Sequence, residues 1–257
     1  AVERGVQHGC IRSATLMPGG DAFEDAVEVA RKNPDLGVGI HFTLVNGNPL
    51  LPAKEIPSLV DETGKFLDDY NIFLKHFPQG RKHNEEGQRE LGAQLQKMQR
   101  TGLTLTHVDS HQHMHTLPGL IACVLELADG AGIRAIRVPK TPIFCGANGG
   151  LGQLIGRLGL CTLAKLAAYK AAGRGFVMPD HFTGIVAGEA VDTALFKELA
   201  VSLQPGVTEV MLHPGTDNAV LQAACGWQHD FEAELSAVTD TEVLRLLQEK
   251  GIRCSNF

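Results

Sequence analysis

The sequence lacks several features that large functional classes require. No apolar run among its 257 residues approaches the roughly 18 residues that cross a bilayer, and lysines interrupt the Leu/Ala-rich stretch 158–172. Lys and Arg total 23 against 29 Asp and Glu, a net charge of −6, so the chain has no basic surplus for a phosphate backbone. With 44% hydrophobic residues it is too apolar for a disordered protein. We therefore expect a soluble globular protein without a transmembrane segment or a nucleic-acid partner.

Cysteine spacing excludes two further classes. No Cys-x-x-Cys pair occurs, which argues against a zinc ribbon and against a thioredoxin-like redox site. No basic segment followed by an apolar segment marks a secretory signal peptide. Free thiols in a reducing compartment, and hence a cytoplasmic location, are the expectation. The six scattered cysteines are Cys10, Cys123, Cys145, Cys161, Cys225 and Cys254.

Strand and helix patterns alternate along the whole chain. Apolar runs predict strands at 10–17, 36–44, 103–109, 135–138, 207–213 and 252–255. Helical spacing predicts helices at 22–32, 84–100, 118–130, 192–203 and 239–250, with a loop and then a helix in 141–175 and a loop-rich excursion at 46–83. This alternation indicates an α/β fold with a parallel sheet. We predict a single domain over 1–257, built as a barrel or a barrel-like fold.

The strongest chemical signal is the segment 106–115. Four of the 11 histidines and one aspartate occupy alternate positions there, so an extended strand would point all five to one face. The cluster ends a strand and precedes a helix, where parallel α/β folds place their active sites. Imidazole and carboxylate are common ligands of zinc and similar ions; the alternative is a polar loop with chance histidines. The five residues are His107, Asp109, His111, His113 and His115.

Two more histidines end apolar strands. His41 lies near the end of the strand at 36–44, where it is either a ligand or a hydrogen-bonded core residue. His213 ends the strand at 207–213 and precedes Pro214-Gly215, so it is either a turn residue or a general acid or base beside a metal. Strand ends can converge above one sheet, which favours a shared site.

Other polar residues carry weaker signals. Arg137 could hold a substrate hydroxyl or carboxylate, or form an ordinary salt bridge, and Asp217 could simply cap a turn. Asp68-Asp69 falls in the long excursion, where paired acids are usually solvated. Trp227 and His229 could edge a binding cleft or pack in the interior. No Gly-x-Ser-x-Gly elbow or Walker-type loop occurs, which disfavours a serine hydrolase and a P-loop enzyme.

The chain resembles the YdjC/ChbG family of carbohydrate deacetylases. The segments that carry the resemblance are 13–17 (Ser-Ala-Thr-Leu-Met), 39–44 (Gly-Ile-His-Phe-Thr-Leu), 106–115 (Thr-His-Val-Asp-Ser-His-Gln-His-Met-His) and 212–215 (Leu-His-Pro-Gly). Within the family, the segments 50–52, 56–61 and 133–139 resemble the branch associated with hopanoid biosynthesis. In that branch the substrate would be a glycolipid headgroup, and 146–172 is either an apolar contact patch or an ordinary core helix.

The resemblance implies a fold and a cofactor. The fold is a deformed (β/α) barrel of the TIM-like or NodB-like kind, and the cofactor is a divalent metal ion, Zn or Mg, held by one aspartate and two histidines. By motif, the two histidines are His41 and His111. The aspartate belongs to an Asn-Ala-Asp-Asp-Phe-Gly-like motif on the first strand, which this sequence lacks, so we expect that strand to stand upstream of Ala1.

The implied activity is metal-dependent removal of N-acetyl groups from an amino sugar. His213 would protonate the leaving amine, and Arg137 is the candidate for binding substrate. Asp109 is the nearest substitute by spacing for the missing acid, although support of an imidazole ligand is its first interpretation. A sugar-binding member without activity and another metal-dependent amidohydrolase remain alternatives. The sequence does not fix the oligomeric state, and a homo-oligomer stays open.

Overall fold

The computed structural model describes residues 1–68, 81–140, 151–184 and 190–257. Within them the chain forms two compact units. We call Ala1–Ala14, Pro139–Thr162 and Pro179–Asn256 the terminal unit, and Thr15–Val138, Leu163–Met178 and Phe257 the central unit. The single domain over 1–257 stays a prediction. None of the helices in the described ranges combines the length and the hydropathy of a membrane-spanning segment.

Most of the predicted helices and strands are present. The helices are α1 (Val2–His8), α2 (Phe23–Lys32), α3 (Arg81–Arg100), α4 (Pro118–Gly130), α5 (Leu151–Gly173), α6 (Thr193–Ser202), α7 (Asn218–Cys225), α8 (Phe231–Thr239) and α9 (Thr241–Glu249). The strands are β1 (Ser13–Leu16), β2 (Gly37–Phe42), β3 (Leu105–Ser110), β4 (His181–Thr183) and β5 (Thr208–Val210). However, α7, α8 and β4 were not predicted, and the segment 135–138 forms only isolated bridges.

The central unit is organised around a sheet with the strand order β1-β2-β3. β2 and β3 are parallel, and their register places His41 beside Asp109. Beyond β3, Ile136 forms a parallel bridge with Val108. Ile40, Val108 and Ile136 are fully buried, so the apolar runs of the sequence form the interior of this sheet. The α/β class and the parallel pairing are confirmed, and the closed barrel stays a prediction.

Buried acids on α3 hold the first part of the long excursion. Both carboxylate oxygens of Glu90 accept backbone N–H groups, from Leu50 and Leu51, at 2.9 Å each. One turn earlier, Glu86 accepts the backbone N–H of Ser58 at 2.8 Å and its hydroxyl at 2.7 Å. The segment 46–68 is therefore irregular, as predicted, but anchored. Residues 69–80 of the predicted excursion lie outside the described ranges.

The terminal unit contains the parallel pair β4-β5 and a helical core. β4 pairs with β5 from His181↔Thr208 to Thr183↔Val210, and the sequence analysis did not predict β4. Helices α6, α8 and α9 pack together. Their buried residues include Phe196, Leu235, Val238, Val243 and Leu247, and Val191, which precedes α6, is buried in the same core.

The strand predicted at 252–255 is wrong. That segment is irregular, and the backbone N–H of Ile252 donates to the carbonyl of Leu247 at 2.9 Å, closing the turn after α9. Ile252 and Cys254 pack against the helical core of the terminal unit. Their apolar character therefore reflects burial against helices and not pairing in a sheet.

Gly39 gives a direct test of the packing in the central unit. A Cβ at this position would lie 2.7 Å from two atoms of the buried His107 ring and 2.8 Å from Thr15 Cγ2. The His107 ring stacks on Phe257, with 4.0 Å between ring centroids, so it has little freedom to move. We expect Gly39→Ala to lower the free energy of unfolding by about 1–3 kcal/mol, the usual cost of overpacking.

Gly92→Ala is the matched control, because Gly92 lies within α3 and its added Cβ would meet no atom within 4 Å. Replacing a helical glycine by alanine should raise the free energy of unfolding by roughly 0.5–1 kcal/mol. Urea unfolding of both variants measures the two shifts. Shifts of the same sign would contradict the packing described for His107.

Candidate functional site

The histidine-rich segment changes direction directly after β3. His111–Thr116 forms a 3₁₀ turn in which Gln112 (φ 50°) and His113 (φ 56°) adopt the left-handed conformation. Strand alternation therefore ends at Ser110. The expectation that all five alternate side chains share one face is wrong, because an extended backbone is required for that alternation.

Asp109 is the centre of a buried polar cluster in the central unit. Its side chain is 0% exposed, and one carboxylate oxygen, Oδ1, accepts a hydrogen bond from His41 Nδ1 at 2.7 Å. The other oxygen pairs with the guanidinium of Arg137 and accepts the Thr15 hydroxyl at 3.3 Å. Burial alone would raise the pKa of Asp109, but the charges of Arg137 and His41 lower it well below its usual value. Asp109 is therefore an ionised carboxylate with both oxygens engaged.

The ring of His111 contacts this cluster at the ring of His41. The two ring centroids lie 5.8 Å apart at an interplanar angle of 69°. His111 Nε2 is buried and makes no hydrogen bond within the described ranges. Burial, assisted by the charge of His41, lowers the pKa of His111 to about 4, so its imidazole is neutral near pH 7. A neutral imidazole nitrogen without a partner is what a metal ligand requires.

Two other histidines of the segment have structural contacts. The ring of His115 uses both nitrogens: Nδ1 lies 2.6 Å from the Ser110 hydroxyl, and Nε2 lies 2.8 Å from the carbonyl oxygen of Arg137. His107 stacks on Phe257 and contacts a threonine hydroxyl through Nδ1. Burial lowers the pKa of both histidines to about 4. His115 thus connects the 3₁₀ turn to the backbone that carries Arg137.

His213 belongs to a different cluster, in the terminal unit. Its backbone N–H donates to the buried carboxylate of Glu234, and its side chain is exposed. His229 Nε2 lies 3.1 Å from the other oxygen of Glu234. Within the described part of the chain, His213, His229 and Glu234 are the only three side chains whose metal-type ligand atoms all lie within 4.8 Å of one another.

Sequence reasoning missed Thr15 and Glu234. Thr15 entered only through a family motif, although its hydroxyl contacts both His41 and Asp109. Glu234 lies in the first turn of α8, where an acidic residue is ordinary and signals nothing more. Of the weaker candidates, Asp217 caps α7 by accepting the N–H of Val220 at 3.0 Å, and Trp227 stacks on His229.

The central cluster can supply two ligands to a divalent cation, one from His41 and one from His111. Asp109 fixes the ring of His41 through Nδ1, as carboxylates do for many metal-binding histidines, and leaves Nε2 for a metal. The buried, unpartnered Nε2 of His111 is the second donor. Within the described ranges no carboxylate joins these two histidines in a three-ligand group. The pair therefore fits the imidazole part of the expected ligand set and not the whole set.

Comparisons with known proteins identify the family of this chain. A model of the family described as YdjC-like protein matches residues 1–249. The carbohydrate deacetylase of Brevibacillus brevis is 30% identical over 98% of this chain and 89% of its own length, and that of Geobacillus stearothermophilus is 29% identical over 98% and 87%. A solved structure from Enterococcus faecalis V583, described as a candidate cellobiose-phosphate cleavage protein, has a TM-score of 0.71 and 25% identity, covering 99% of this chain and 90% of its own. This chain belongs to the YdjC-like family.

Proposed function

We propose that this chain is a carbohydrate deacetylase that removes N-acetyl groups from an amino sugar with a divalent cation. Relatives named carbohydrate deacetylase align over 98% of the chain, which supports deacetylation of a sugar. The observation that carries the proposal is the buried group of Asp109, His41 and His111. There, one imidazole is oriented by a carboxylate and the other has a buried nitrogen without a partner.

We assign the cation to His41 and His111, with Zn and Mg as the candidates. When bound, such an ion supplies Lewis acidity toward an amide carbonyl and toward water. Asp109 holds the His41 ring in position. We do not assign Asp109 as the base, because its oxygens are engaged by His41, Arg137 and Thr15 and its pKa is low.

Arg137 neutralises the Asp109 carboxylate, and its side chain is 12% exposed. We propose that Arg137 also contacts a hydroxyl of the sugar substrate. The hopanoid branch, the cytoplasmic location and a homo-oligomeric state also stay predictions.

Acetate release tests the activity. N-acetylglucosamine and its oligomers are incubated with the protein and either Zn²⁺ or Mg²⁺, and free acetate is measured by a coupled assay. We expect one acetate to be released for each free amine that forms on the sugar. Binding of the sugar without acetate would replace the proposal by a sugar-binding function. Release from simple N-acetyl amides but not from sugars would favour another amidohydrolase.

His213 is the proposed proton donor to the leaving amine. Its imidazole is exposed and follows β5, and imidazole can exchange a proton near neutral pH. We expect His213→Ala to lower kcat by about 10²–10⁴-fold, the usual contribution of a general acid. Calorimetric titration should show that His213→Ala leaves the cation affinity of the central cluster unchanged, whereas His111→Ala removes that affinity. Equal loss of that affinity in both variants would contradict this division of roles.

A further inference from the structure

A second group of ligand-type side chains lies in the terminal unit, on residues that share nothing with the His41 and His111 pair. We propose that His213, His229 and Glu234 bind a transition-metal cation of the zinc type. Their ligand atoms all lie within 4.8 Å of one another. The inference does not rest on the proposed deacetylation, because it concerns binding alone.

Glu234 is held in place independently of any ion. Its side chain is 1% exposed, and its two oxygens accept the backbone N–H groups of Val191, at 3.1 Å, and of His213. Each carboxylate oxygen can accept more than one interaction, so these bonds leave capacity for a cation. The carboxylate is thus fixed beside both imidazoles before an ion binds.

His229 provides the observation that points to a ligand. The residue is 4% exposed, yet neither of its ring nitrogens makes a hydrogen bond within the described part of the chain. Its Nε2 lies 3.1 Å from Glu234 Oε1. A buried imidazole nitrogen that makes no hydrogen bond is costly, and a cation shared by Nε2 and the carboxylate would satisfy it. An imidazolium paired with Glu234 is the competing explanation, which the experiment below separates.

The surroundings of His229 keep its ring in one orientation. Its backbone is held on both sides: the N–H donates to the carbonyl of Trp227 at 2.9 Å, and the carbonyl accepts the amide of Gln222 at 2.8 Å. Its ring stacks on Trp227 with 3.9 Å between centroids and 22° between planes. A ring that is already oriented loses little entropy when it binds an ion.

The donor set selects the kind of cation. Two imidazoles and one carboxylate form a three-ligand set that zinc uses in open sites, whereas calcium and magnesium prefer oxygen ligands. His213 is exposed, so the remaining coordination position is accessible to solvent and the ion can exchange. His213 is also the proposed proton donor, so a cation bound to its imidazole would prevent it from protonating the leaving amine.

Trp227 makes the binding directly measurable. It is the only tryptophan of the chain and it stacks on His229, so a paramagnetic ion at His229 should quench its fluorescence. The experiment titrates the His111→Ala protein with Co²⁺, which removes competition from the central cluster, and then adds Zn²⁺. We expect quenching by one equivalent of Co²⁺ and recovery of emission with Zn²⁺.

His229→Phe, added to the His111→Ala protein, keeps an aromatic ring against Trp227 and removes both nitrogens. It should lower the Co²⁺ affinity by more than the roughly 10–100-fold that loss of an outer hydrogen-bond partner costs. His213→Ala removes an exposed side chain and serves as the second variant, with the same expected loss. His8→Ala, which removes another exposed histidine, should bind like the parent.

Unchanged Co²⁺ quenching in His229→Phe and His213→Ala would overturn the site. So would the absence of quenching at stoichiometric Co²⁺ in the folded parent protein, which would leave the imidazolium pair with Glu234 as the explanation. None of these readouts depends on acetate release. A failure of the deacetylase proposal and a failure of this site are therefore distinguishable.

Discussion

Replacing His111 by alanine should abolish acetate release while leaving the fold intact. The His111 Nε2 atom is buried without a hydrogen-bond partner in the described part of the chain, so its removal breaks no hydrogen bond of that atom. The same atom is one of the two imidazole donors proposed for the cation. Loss of a ligand should lower cation affinity by more than about 100-fold, because even outer partners of ligands contribute 10–100-fold.

His115→Ala is the matched control for this prediction. His115 is a buried histidine four residues away, but both its nitrogens are bonded, to Ser110 Oγ and to the carbonyl of Arg137. Its loss takes this partner from the carbonyl of Arg137, whereas the Ser110 hydroxyl still accepts the backbone N–H of residue 115. The substitution should cost about 1–3 kcal/mol of stability, the usual cost of an unsatisfied buried group.

Calorimetric titration with Zn²⁺ and Mg²⁺, together with urea unfolding, compares the two variants. We expect His111→Ala to lose the cation binding of the central cluster with little change in stability, while any binding in the terminal unit remains. We expect His115→Ala to lose stability while the folded protein still binds a cation at the central cluster. The reverse pattern would show that the ligand has been assigned to the wrong histidine.

Strand-end reasoning predicted that histidines converge at one edge of the sheet. The structure brings His41 near His111, with 5.8 Å between their ring centroids. His41 and Asp109 end neighbouring parallel strands, and the register pairs them directly. The histidine run could not be placed in the same way. Gln112 and His113 adopt positive φ angles, which non-glycine residues rarely do. Their residue types therefore did not predict such a turn.

The burial of three glutamates was the other feature that could not be predicted from the sequence. Glu86, Glu90 and Glu234 are at most 1% exposed, yet each lies on a helix in a pattern typical of a solvated face. Each carboxylate is stabilised by backbone N–H groups from segments distant in sequence. Such partners depend on tertiary structure, so the site in the terminal unit became recognisable only from the fold.

Asp109→Asn should show how far the central cluster depends on one charge. The substitution keeps the shape but removes the negative charge that pairs with Arg137, whose side chain is only 12% exposed. Leaving one partner of a buried ion pair uncompensated typically costs about 3–5 kcal/mol, and we expect a loss of that size. The ionisation of Asp109 itself should add no pH dependence to this loss between about pH 5 and 8, because its low pKa keeps the carboxylate ionised there in both the folded and unfolded states.

Thr15→Val is the control, because it removes only the hydroxyl that lies 3.3 Å from the same carboxylate. It should cost about 1 kcal/mol, the net value of one hydrogen bond. Cation affinity, measured well below the unfolding transition, separates positioning from stability. Without the Asp109 charge the hydrogen bond that orients the His41 ring is weaker, and the cation affinity should fall by roughly 10–100-fold. Wild-type affinity in folded Asp109→Asn would show that the carboxylate stabilises the sheet and does not position His41 for a cation.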